Sequence, residues 1–293
     1  MPPQRILRIL LLNSFVWPSM IIPAVAQDVP KGGPKSASYL ALGDSLPFGY
    51  NPLVQPPDLS DYVGYSSIIS TMTQDSLTNA SCPYETTATF LTGGTTPDGA
   101  FGCQFWRNES GLKKPLFVSY SGPQIDYAIS YLQHASGTQL VTIQLGGNDL
   151  ADLELTCNNN PVCELAGLPA TLAQVGANLS SSVARIRATG YSGQIVLVNY
   201  YVFNYLNLLQ SSAFSALAQT MATVAASSPN VKIADAFKAF ALVSAPYSGD
   251  TCAAGLRIKL SAYNPQTGDM CDVHPTFEGH AVLASAIFAA IAN

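Results

Sequence analysis

A serine near the start of the chain and a histidine near its end have the side chains that nucleophilic ester hydrolysis requires. Ser45 stands in the sequence Gly-Asp-Ser, directly after the apolar residues 39–42, and His274 stands in a predicted turn flanked by proline. A serine hydroxyl is a weak nucleophile that needs a base within hydrogen-bond reach. These positions lead us to predict Ser45 as the nucleophile and His274 as its base.

The other two histidines are poorer candidates for the base. His134 falls at the end of a predicted helix and is expected at the surface, whereas His280 falls inside the last predicted helix and is expected to pack there. His274 instead has a carboxylate, Asp272, two residues before it. Because residues i and i+2 of an extended segment point to the same face, Asp272 can orient the imidazole.

Ester hydrolysis also requires hydrogen-bond donors for the oxyanion that forms on the carbonyl group. The turn after a strand exposes the backbone N–H of Ser45. Gly122 allows a close backbone approach to the substrate, and Asn148 carries an uncharged side-chain donor. We predict these three residues as the oxyanion hole. The alternative is that Gly122 and Asn148 only shape turns.

Strands alternating with helices must bring these residues together. Apolar runs predict five strands, at residues 39–42, 116–120, 140–145, 195–198 and 231–234. Helical spacing predicts helices at residues 62–74, 125–132, 168–188, 212–227 and 276–291. This alternation is typical of a flavodoxin-like, three-layer αβα fold with a five-stranded parallel sheet. We expect Ser45, Gly122 and Asn148 to share the rim formed by the carboxyl ends of the strands.

Six cysteines fall into three local pairs, and an even count in an exported chain is typical of disulfides. We predict bonds that join Cys82 to Cys103, Cys157 to Cys163, and Cys252 to Cys271. The alternatives are free buried thiols and metal binding, which the lack of a Cys-x-x-Cys motif disfavours. The stretches at residues 75–114 and 244–272 are then predicted to be irregular insertions pinned by disulfides.

The first residues predict export. Two arginines precede an apolar run, and Ala24-Val-Ala26 matches a signal-peptidase site. Residues 1–26 are therefore predicted to be a signal peptide and residues 27–293 a single domain that is secreted or periplasmic. Polar residues and prolines interrupt the apolar run, which disfavours a membrane anchor. A net charge of −5 with 11% charged residues disfavours nucleic-acid binding.

The chain resembles the SGNH, or GDSL-type, hydrolases in four blocks of residues in the same order. These blocks are Gly43-Asp-Ser-Leu46, Gly122 within Ser-Tyr-Ser-Gly-Pro, Gly146-Gly-Asn-Asp149 and Asp272-Val-His-Pro275. The resemblance implies a flavodoxin-like fold and ester hydrolysis without a metal or another cofactor. It also implies that Ser45 attacks the ester, that His274 transfers the proton, and that Ser45, Gly122 and Asn148 hold the oxyanion.

One block departs from the family pattern. The family usually places the acid three residues before the histidine, and here that position is Cys271. Asp272 remains our candidate for the acid, and the alternative is a backbone carbonyl, which some relatives use. A disulfide at Cys271 would also fix the loop that carries His274.

These observations predict an exported esterase or lipase that forms an acyl-enzyme on Ser45 and acts as a monomer on a small-molecule or lipid ester, without stable membrane insertion. The chain has no Gly-x-Ser-x-Gly motif, which excludes the nucleophile elbow of the α/β-hydrolases. The alternatives are a carbohydrate acetyl esterase with the same site and a binding module whose hydrolase site is vestigial.

Aromatic residues follow the fourth predicted strand, and they bear on the substrate. They are Tyr200, Tyr201, Phe203 and Tyr205. Near the rim they would form an apolar wall with polar tips, suited to an acyl chain or an aromatic alcohol. The alternative is that they pack in the core or around the loop. With the low charge content, this pattern favours simple carboxylic esters over acetylated polysaccharide.

Overall fold

The computed structural model describes residues 37–54, 58–108 and 114–292, and their main element is a five-stranded parallel sheet. Its strands are β1 (Ser38–Gly43), β2 (Ser76–Asn79), β3 (Thr138–Gln144), β4 (Gln194–Val198) and β5 (Val231–Ala234). The spatial order is β2-β1-β3-β4-β5, which is the flavodoxin-like arrangement that the sequence predicts. The predicted signal peptide, residues 1–26, lies outside the described residues.

Helices flank this sheet. They are α1 (Ser45–Phe48), α2 (Tyr65–Thr73), α3 (Thr87–Thr92), α4 (Cys103–Asn108), α5 (Gln124–His134), α6 (Gly147–Thr156), α7 (Pro161–Arg187), α8 (Leu208–Ala226), α9 (Ala236–Ser244) and α10 (Phe277–Ala292). Helix α7 packs against α5, α6 and α8, whereas α10 packs against α2 and α9. Within the described parts of the chain, we find no helix with both the length and the apolar composition needed to cross a membrane.

The edge strand β2 is absent from the sequence prediction, which treats residues 75–114 as irregular, and that prediction is wrong here. Strands β3 and β4 lie inside the sheet and are buried almost throughout, so continuous apolar runs identify them. Strand β2 has the sequence Ser-Leu-Thr-Asn and is partly exposed. A short edge strand needs no apolar run, so none marks it.

Residues 116–120, predicted as the second strand, form no strand. Leu116, Phe117 and Tyr120 instead pack against a small cluster that includes Phe48 and Trp106 and lies apart from the main core. The apolar pattern of this segment therefore reflects a loop that covers a satellite cluster. The prediction is wrong because periodicity does not distinguish this kind of burial from burial in a sheet.

Residues 244–272, also predicted to be irregular, contain most of an antiparallel hairpin of β6 (Arg257–Asn264) and β7 (Asp269–Pro275). Much of β6 is exposed, so its sequence lacks the apolar run of a buried strand. His274 consequently lies in a strand and not in the predicted turn.

Three disulfides fasten the less regular parts of the chain. They join Cys82 to Cys103, Cys157 to Cys163, and Cys252 to Cys271, which are the pairs predicted from their spacing. The first closes the loop after β2, the second joins the end of α6 to the start of α7, and the third joins β7 to the segment before β6. No cysteine is left as a free thiol.

Candidate active site

Ser45 is the first residue of α1, two positions after the end of β1. Gly43 has a φ of 133°, and a Cβ there would lie 2.2 Å from the Gln144 carbonyl oxygen, so only glycine fits this turn. Asp44 caps α1 by accepting a hydrogen bond from the Leu46 N–H at 2.9 Å. The turn therefore fixes Ser45 at the carboxyl end of β1.

The Ser45 hydroxyl contacts the histidine predicted as its base. His274 Nε2 lies 2.9 Å from Ser45 Oγ, and His274 Nδ1 contacts the Asp272 carboxylate. The same carboxylate accepts a hydrogen bond from the His274 backbone N–H at 3.0 Å. A side-chain carboxylate, and not a backbone carbonyl, thus lies at Nδ1. The arrangement is that of a nucleophile, a base and a group that orients the base.

The pKa of Asp272 reflects this contact. Burial disfavours its ionised form, but the hydrogen bonds from the His274 ring and backbone N–H outweigh burial and lower the pKa. The positive charge of Arg257 acts in the same direction. A carboxylate that stays ionised can stabilise an imidazolium on His274.

Buried contacts hold the His274 strand within its hairpin and to the segment that follows β4. The guanidinium of Arg257 is fully buried; it forms an ion pair with Asp269 and donates a hydrogen bond to the Asp272 carbonyl at 3.2 Å. The Tyr201 hydroxyl donates to the Val273 carbonyl at 2.5 Å. Strand β7 is therefore attached on both sides of Asp272, in addition to its disulfide.

Asn148 lies in the first turn of α6, directly after β3, and lines the same cleft as Ser45. Its Nδ2 donates a hydrogen bond to the Glu85 carbonyl at 2.9 Å. Because an amide group carries two hydrogens, this bond orients the group and leaves one N–H for a ligand. The preceding Gly147 packs against Tyr200, and a Cβ at Gly147 would lie 2.5 Å from that ring.

Gly122 is not brought to Ser45. It is exposed in the loop before α5 and lines a separate cleft with Glu85 and Gln124. The expectation that Gly122 follows a strand at the rim is wrong, because residues 116–120 are not a strand. Residues 80–85, after β2, lie next to the nucleophile turn instead, and the Cys82 N–H donates to the Gly43 carbonyl at 2.9 Å.

Two residues that the sequence does not single out fix the turn before Ser45. The Gln124 side chain accepts a hydrogen bond from the Gly43 N–H at 2.7 Å and donates to the Gly43 carbonyl at 3.0 Å. The same amide donates to the buried Glu85 carboxyl at 3.2 Å. Burial raises the pKa of Glu85 to about 7, although hydrogen bonds from Thr89 and Gln124 oppose the shift. Gln124 thus holds Gly43 by both its N–H and its carbonyl, and we call this pair of hydrogen bonds the Gln124 clamp.

A second buried contact joins the turn before Ser45 to the segment that follows β4. The Tyr200 hydroxyl donates a hydrogen bond to the Asp44 carboxylate. Burial raises the pKa of Asp44 to about 6, opposed by the hydrogen bonds from Tyr200 and Leu46. Asp44 is therefore a structural cap held from two sides, and it lines the cleft that contains Ser45.

Three of the four predicted aromatic residues line the cleft at Ser45: Tyr200, Tyr201 and Phe203. Tyr205 does not, and its hydroxyl donates to the Phe237 carbonyl at 2.6 Å. Tyr200 and Tyr201 are also almost completely buried, so the wall of the cleft and the core are continuous. The two alternatives for these aromatic residues are a wall of the cleft and packing in the core, and Tyr200 and Tyr201 do both.

The remaining histidines lie where the sequence places them. His134 is exposed at the end of α5. His280 is buried in α10, where burial lowers its pKa to about 3. Among the residues that the structure describes, the one close group of three potential metal ligands is Cys252, Asp269 and Cys271. Its two sulfur atoms are joined in a disulfide, so this group is not a metal-binding set.

The GDSL-like Lipase/Acylhydrolase family model matches residues 41–282 of the chain. The solved phospholipase A1 of Streptomyces albidoflavus NA297 is similar at 18% identity, with a TM-score of 0.57 and coverage of 87% of this chain and 99% of that chain. A lipase from a goat rumen metagenome is similar at 16% identity, with a TM-score of 0.51 and coverage of 87% and 97%.

An acetylxylan esterase of Geobacillus stearothermophilus, solved as a catalytic mutant, is similar at 16% identity, with a TM-score of 0.52 and coverage of 87% of this chain and 94% of that chain. No curated protein sequence matches the chain significantly. At these identities the structural likeness shows a shared fold.

Proposed function

The chain belongs to the GDSL-like lipase/acylhydrolase family, and we propose that it hydrolyses carboxylic esters through an acyl-enzyme on Ser45. The observation that carries the proposal is the 2.9 Å distance between Ser45 Oγ and His274 Nε2, with a carboxylate at His274 Nδ1. Family membership supports the reaction class, and this contact supports the assignment of the two residues.

In the first half of the reaction, Ser45 Oγ attacks the carbonyl carbon of the ester while His274 Nε2 takes the hydroxyl proton. The tetrahedral oxyanion collapses, the bond to the alcohol oxygen breaks, and His274 gives its proton to the departing alcohol. In the second half, His274 takes a proton from water, which attacks the acyl carbon. Collapse releases the acid, and Ser45 regains its proton. Asp272 stabilises the imidazolium in both halves.

We assign the oxyanion to the Ser45 backbone N–H and the second N–H of the Asn148 side chain. Asn148 is oriented by the Glu85 carbonyl before substrate binds, and such preorganised donors typically contribute roughly 100-fold to 1,000-fold each in rate. Gly122 is left out of the proposed oxyanion hole because it lines a different cleft.

The proposed compartment is outside the cytoplasm, after removal of residues 1–26. All six cysteines are in disulfides, and such bonds persist in oxidising compartments. We also propose that the enzyme acts as a monomer on a small-molecule or lipid ester.

Simple carboxylic esters are proposed as substrates ahead of acetylated polysaccharide. Apolar and aromatic side chains form much of the cleft at Ser45, among them Leu46, Leu150 and Phe214. A polysaccharide would leave many hydroxyl groups against this lining without partners, which is costly. The likeness to an acetylxylan esterase is one of fold.

The test is hydrolysis of p-nitrophenyl butyrate by Ser45→Ala. We expect the variant to retain the circular dichroism spectrum and thermal unfolding of the parent and to lose ester hydrolysis. Ser285→Ala is the matched control, since Ser285 is an exposed serine on α10, and it should keep full activity. A folded Ser45→Ala variant with near-parental turnover would refute the nucleophile. Lack of hydrolysis by the parent on every ester would refute the enzyme, as the binding-module alternative predicts.

A further inference from the structure

A second cleft adjoins the one that contains Ser45. The two clefts share five lining residues: Leu150, Glu154, Gln210, Phe214 and Gln266. The second cleft continues between α6, α7 and α8, where Leu153, Leu165 and Leu168 line it. We call the two clefts together the extended groove. A continuous surface of side chains thus leads away from the nucleophile toward the start of α7.

Apolar side chains line much of the outer part of the extended groove at a place where the protein meets water, together with the polar residues Asn159, Glu164 and Asn207. Leu165 is 54% exposed although it lines the groove. Phe214, Leu153 and Leu168 are half-buried along the same path. Exposed leucines are common singly, but here they line a concave surface that opens into a catalytic cleft. An unbranched hydrocarbon chain is the ligand that such a surface stabilises.

The charges beside the groove favour an uncharged chain. Glu154 lines both clefts and Glu164 lines the outer one. Among the residues that the structure describes, no lysine or arginine lines either of these clefts. Burial raises the pKa of Glu154, and the nearby Glu164 adds to this shift. A chain that ends in a carboxylate would be repelled here, whereas a neutral hydrocarbon would not.

The position of His274 indicates which part of the ester the groove receives. Four of the shared residues lie on α6 and α8, near Asn148, and only Gln266 lies on the hairpin that carries His274. Because His274 must give its proton to the departing alcohol, the alcohol lies toward the hairpin. The acyl group then extends along α6 and α8.

We propose that the extended groove is an acyl-chain site, which makes the enzyme selective for neutral esters with medium to long unbranched acyl chains. This inference rests on the proposed function, because the acyl group is defined by its bond to Ser45. Each methylene that is fully buried in the groove should raise kcat/KM by up to about fourfold. The rise ends at the chain length that reaches Leu165.

Two variants change the groove without touching the catalytic residues. Leu165→Asp places a charge on an exposed position of the lining, where folding should tolerate it. Ala213→Trp, on α8, fills the outer cleft with a bulky side chain. The matched control is Leu242→Asp, since Leu242 is 66% exposed on α9 and lines neither cleft.

The test compares p-nitrophenyl esters from acetate to decanoate, at monomeric substrate concentrations, with a series of n-alkyl acetates. For the parent and Leu242→Asp, we expect kcat/KM to rise along the acyl series and to change little along the alkyl series. Leu165→Asp and Ala213→Trp should lower kcat/KM on decanoate by about tenfold or more while acetate hydrolysis stays within about twofold.

Unchanged acyl profiles in both groove variants would overturn the acyl-chain site, as would a chain-length dependence confined to the alkyl series. These outcomes require active enzyme and leave the proposed function standing. Absence of hydrolysis by the parent on every ester of both series would instead refute the proposed function. If circular dichroism shows that Ala213→Trp is unfolded, Leu165→Asp alone decides the result.

Discussion

The two halves of the proposed active site are positioned by different kinds of structure. Ser45 and Asn148 directly follow β1 and β3, neighbouring strands whose register pairs Gly43 with Gln144. His274 and Asp272 lie on β7, in a hairpin outside the five-stranded sheet. The proposed nucleophile and the proposed oxyanion donor thus follow buried strands of the core, whereas the proposed base and its acid lie on an attached hairpin.

The contacts that hold the two halves differ accordingly. The core half is fixed by buried strands and by the Gln124 clamp on Gly43. The hairpin half is fixed by the disulfide of Cys271, the ion pair of Arg257 and the hydrogen bond from Tyr201 to the Val273 carbonyl. Changes in the core half should therefore lower stability and activity together. Changes in the hairpin half should lower activity more than stability.

The largest expected effect is the loss of the base. His274→Ala should lower kcat by roughly 10⁴-fold to 10⁶-fold, with little change in Tm because the ring is partly exposed on the hairpin. Steady-state kinetics and thermal unfolding measure the two quantities. His134→Ala is the matched control, an exposed histidine remote from the cleft, and should match the parent. A loss of less than about tenfold in His274→Ala would remove His274 from the mechanism.

Removing one disulfide at a time distinguishes the contribution of the hairpin to the rate from that of the rest of the fold. The double variant C252A/C271A removes one of the contacts that hold β7, and a displacement of His274 by about 1 Å can cost about 100-fold in rate. The double variant C157A/C163A also loses one disulfide but should keep its rate on an acetyl ester, because α6 and α7 do not carry the base. Each removal is expected to cost about 3 kcal/mol or less in the free energy of unfolding. Equal losses of rate in the two double variants would contradict the distinction between the core half and the hairpin half of the site.

A substitution at Gln124 tests the contacts that fix the core half of the site. Gln124→Leu removes the acceptor of the buried Gly43 N–H and the donor to Glu85. An unsatisfied buried group lowers the free energy of unfolding by about 1–3 kcal/mol. Because Ser45 should also shift, we expect kcat to fall by about tenfold with KM nearly unchanged. Urea unfolding and kinetics on the same preparations measure both losses. Gln133→Leu, at an exposed position of the same helix, should show neither, and a stable Gln124→Leu variant with normal kcat would argue against the clamp.

The smallest expected effect is on the pH dependence of stability. Burial raises the pKa of Glu85 to about 7 from its ordinary 4.5, so the folded state binds the proton more tightly than the unfolded state. The stability that the neutral carboxyl contributes is complete below about pH 4.5 and is lost as the pH rises through about 7.

Glu85→Gln keeps a neutral side chain at every pH. The difference in unfolding free energy between the variant and the parent should therefore shift in favour of the variant, by about 1–3 kcal/mol, between about pH 4.5 and pH 8. Asp44 and Asp149 titrate in both proteins and cancel in this difference, and Arg107, which lowers the pKa of Glu85, is also unchanged. A difference that is constant with pH would contradict the raised pKa.

The sequence predicts the parts of the fold that are buried on both faces. Strands β3 and β4 stand out as apolar runs, and α7 stands out by the inward stripe of Val175, Leu179 and Val183. Strand β2 and the β6–β7 hairpin do not, because their exposed positions interrupt any apolar run. The other edge strand, β5, is predicted because three of its four residues are apolar. The strongest false signal, residues 116–120, arises from packing over a satellite cluster around Trp106.

The residues of the candidate site also differ in whether the sequence marks them. Ser45, Asn148, His274 and Asp272 stand in short motifs, and the structure brings the side chains of Ser45, His274 and Asp272 into contact. The prediction that Gly122 lies at the rim depends on a strand at residues 116–120, and the structure has no strand there. Gln124 and Glu85 carry no sequence signal, since a buried glutamine on a helix becomes meaningful only when its contact with Gly43 is known.

The central claim is that an acyl group becomes attached to Ser45. The most direct measurement is labelling with a fluorophosphonate, which modifies activated serines, followed by mass spectrometry of the digested protein. We predict one adduct, on the peptide that contains Ser45, and no adduct in His274→Ala, because the hydroxyl then lacks the base that lies 2.9 Å away. An adduct on any other residue, or ester hydrolysis by the parent that survives complete labelling of Ser45, would contradict the account.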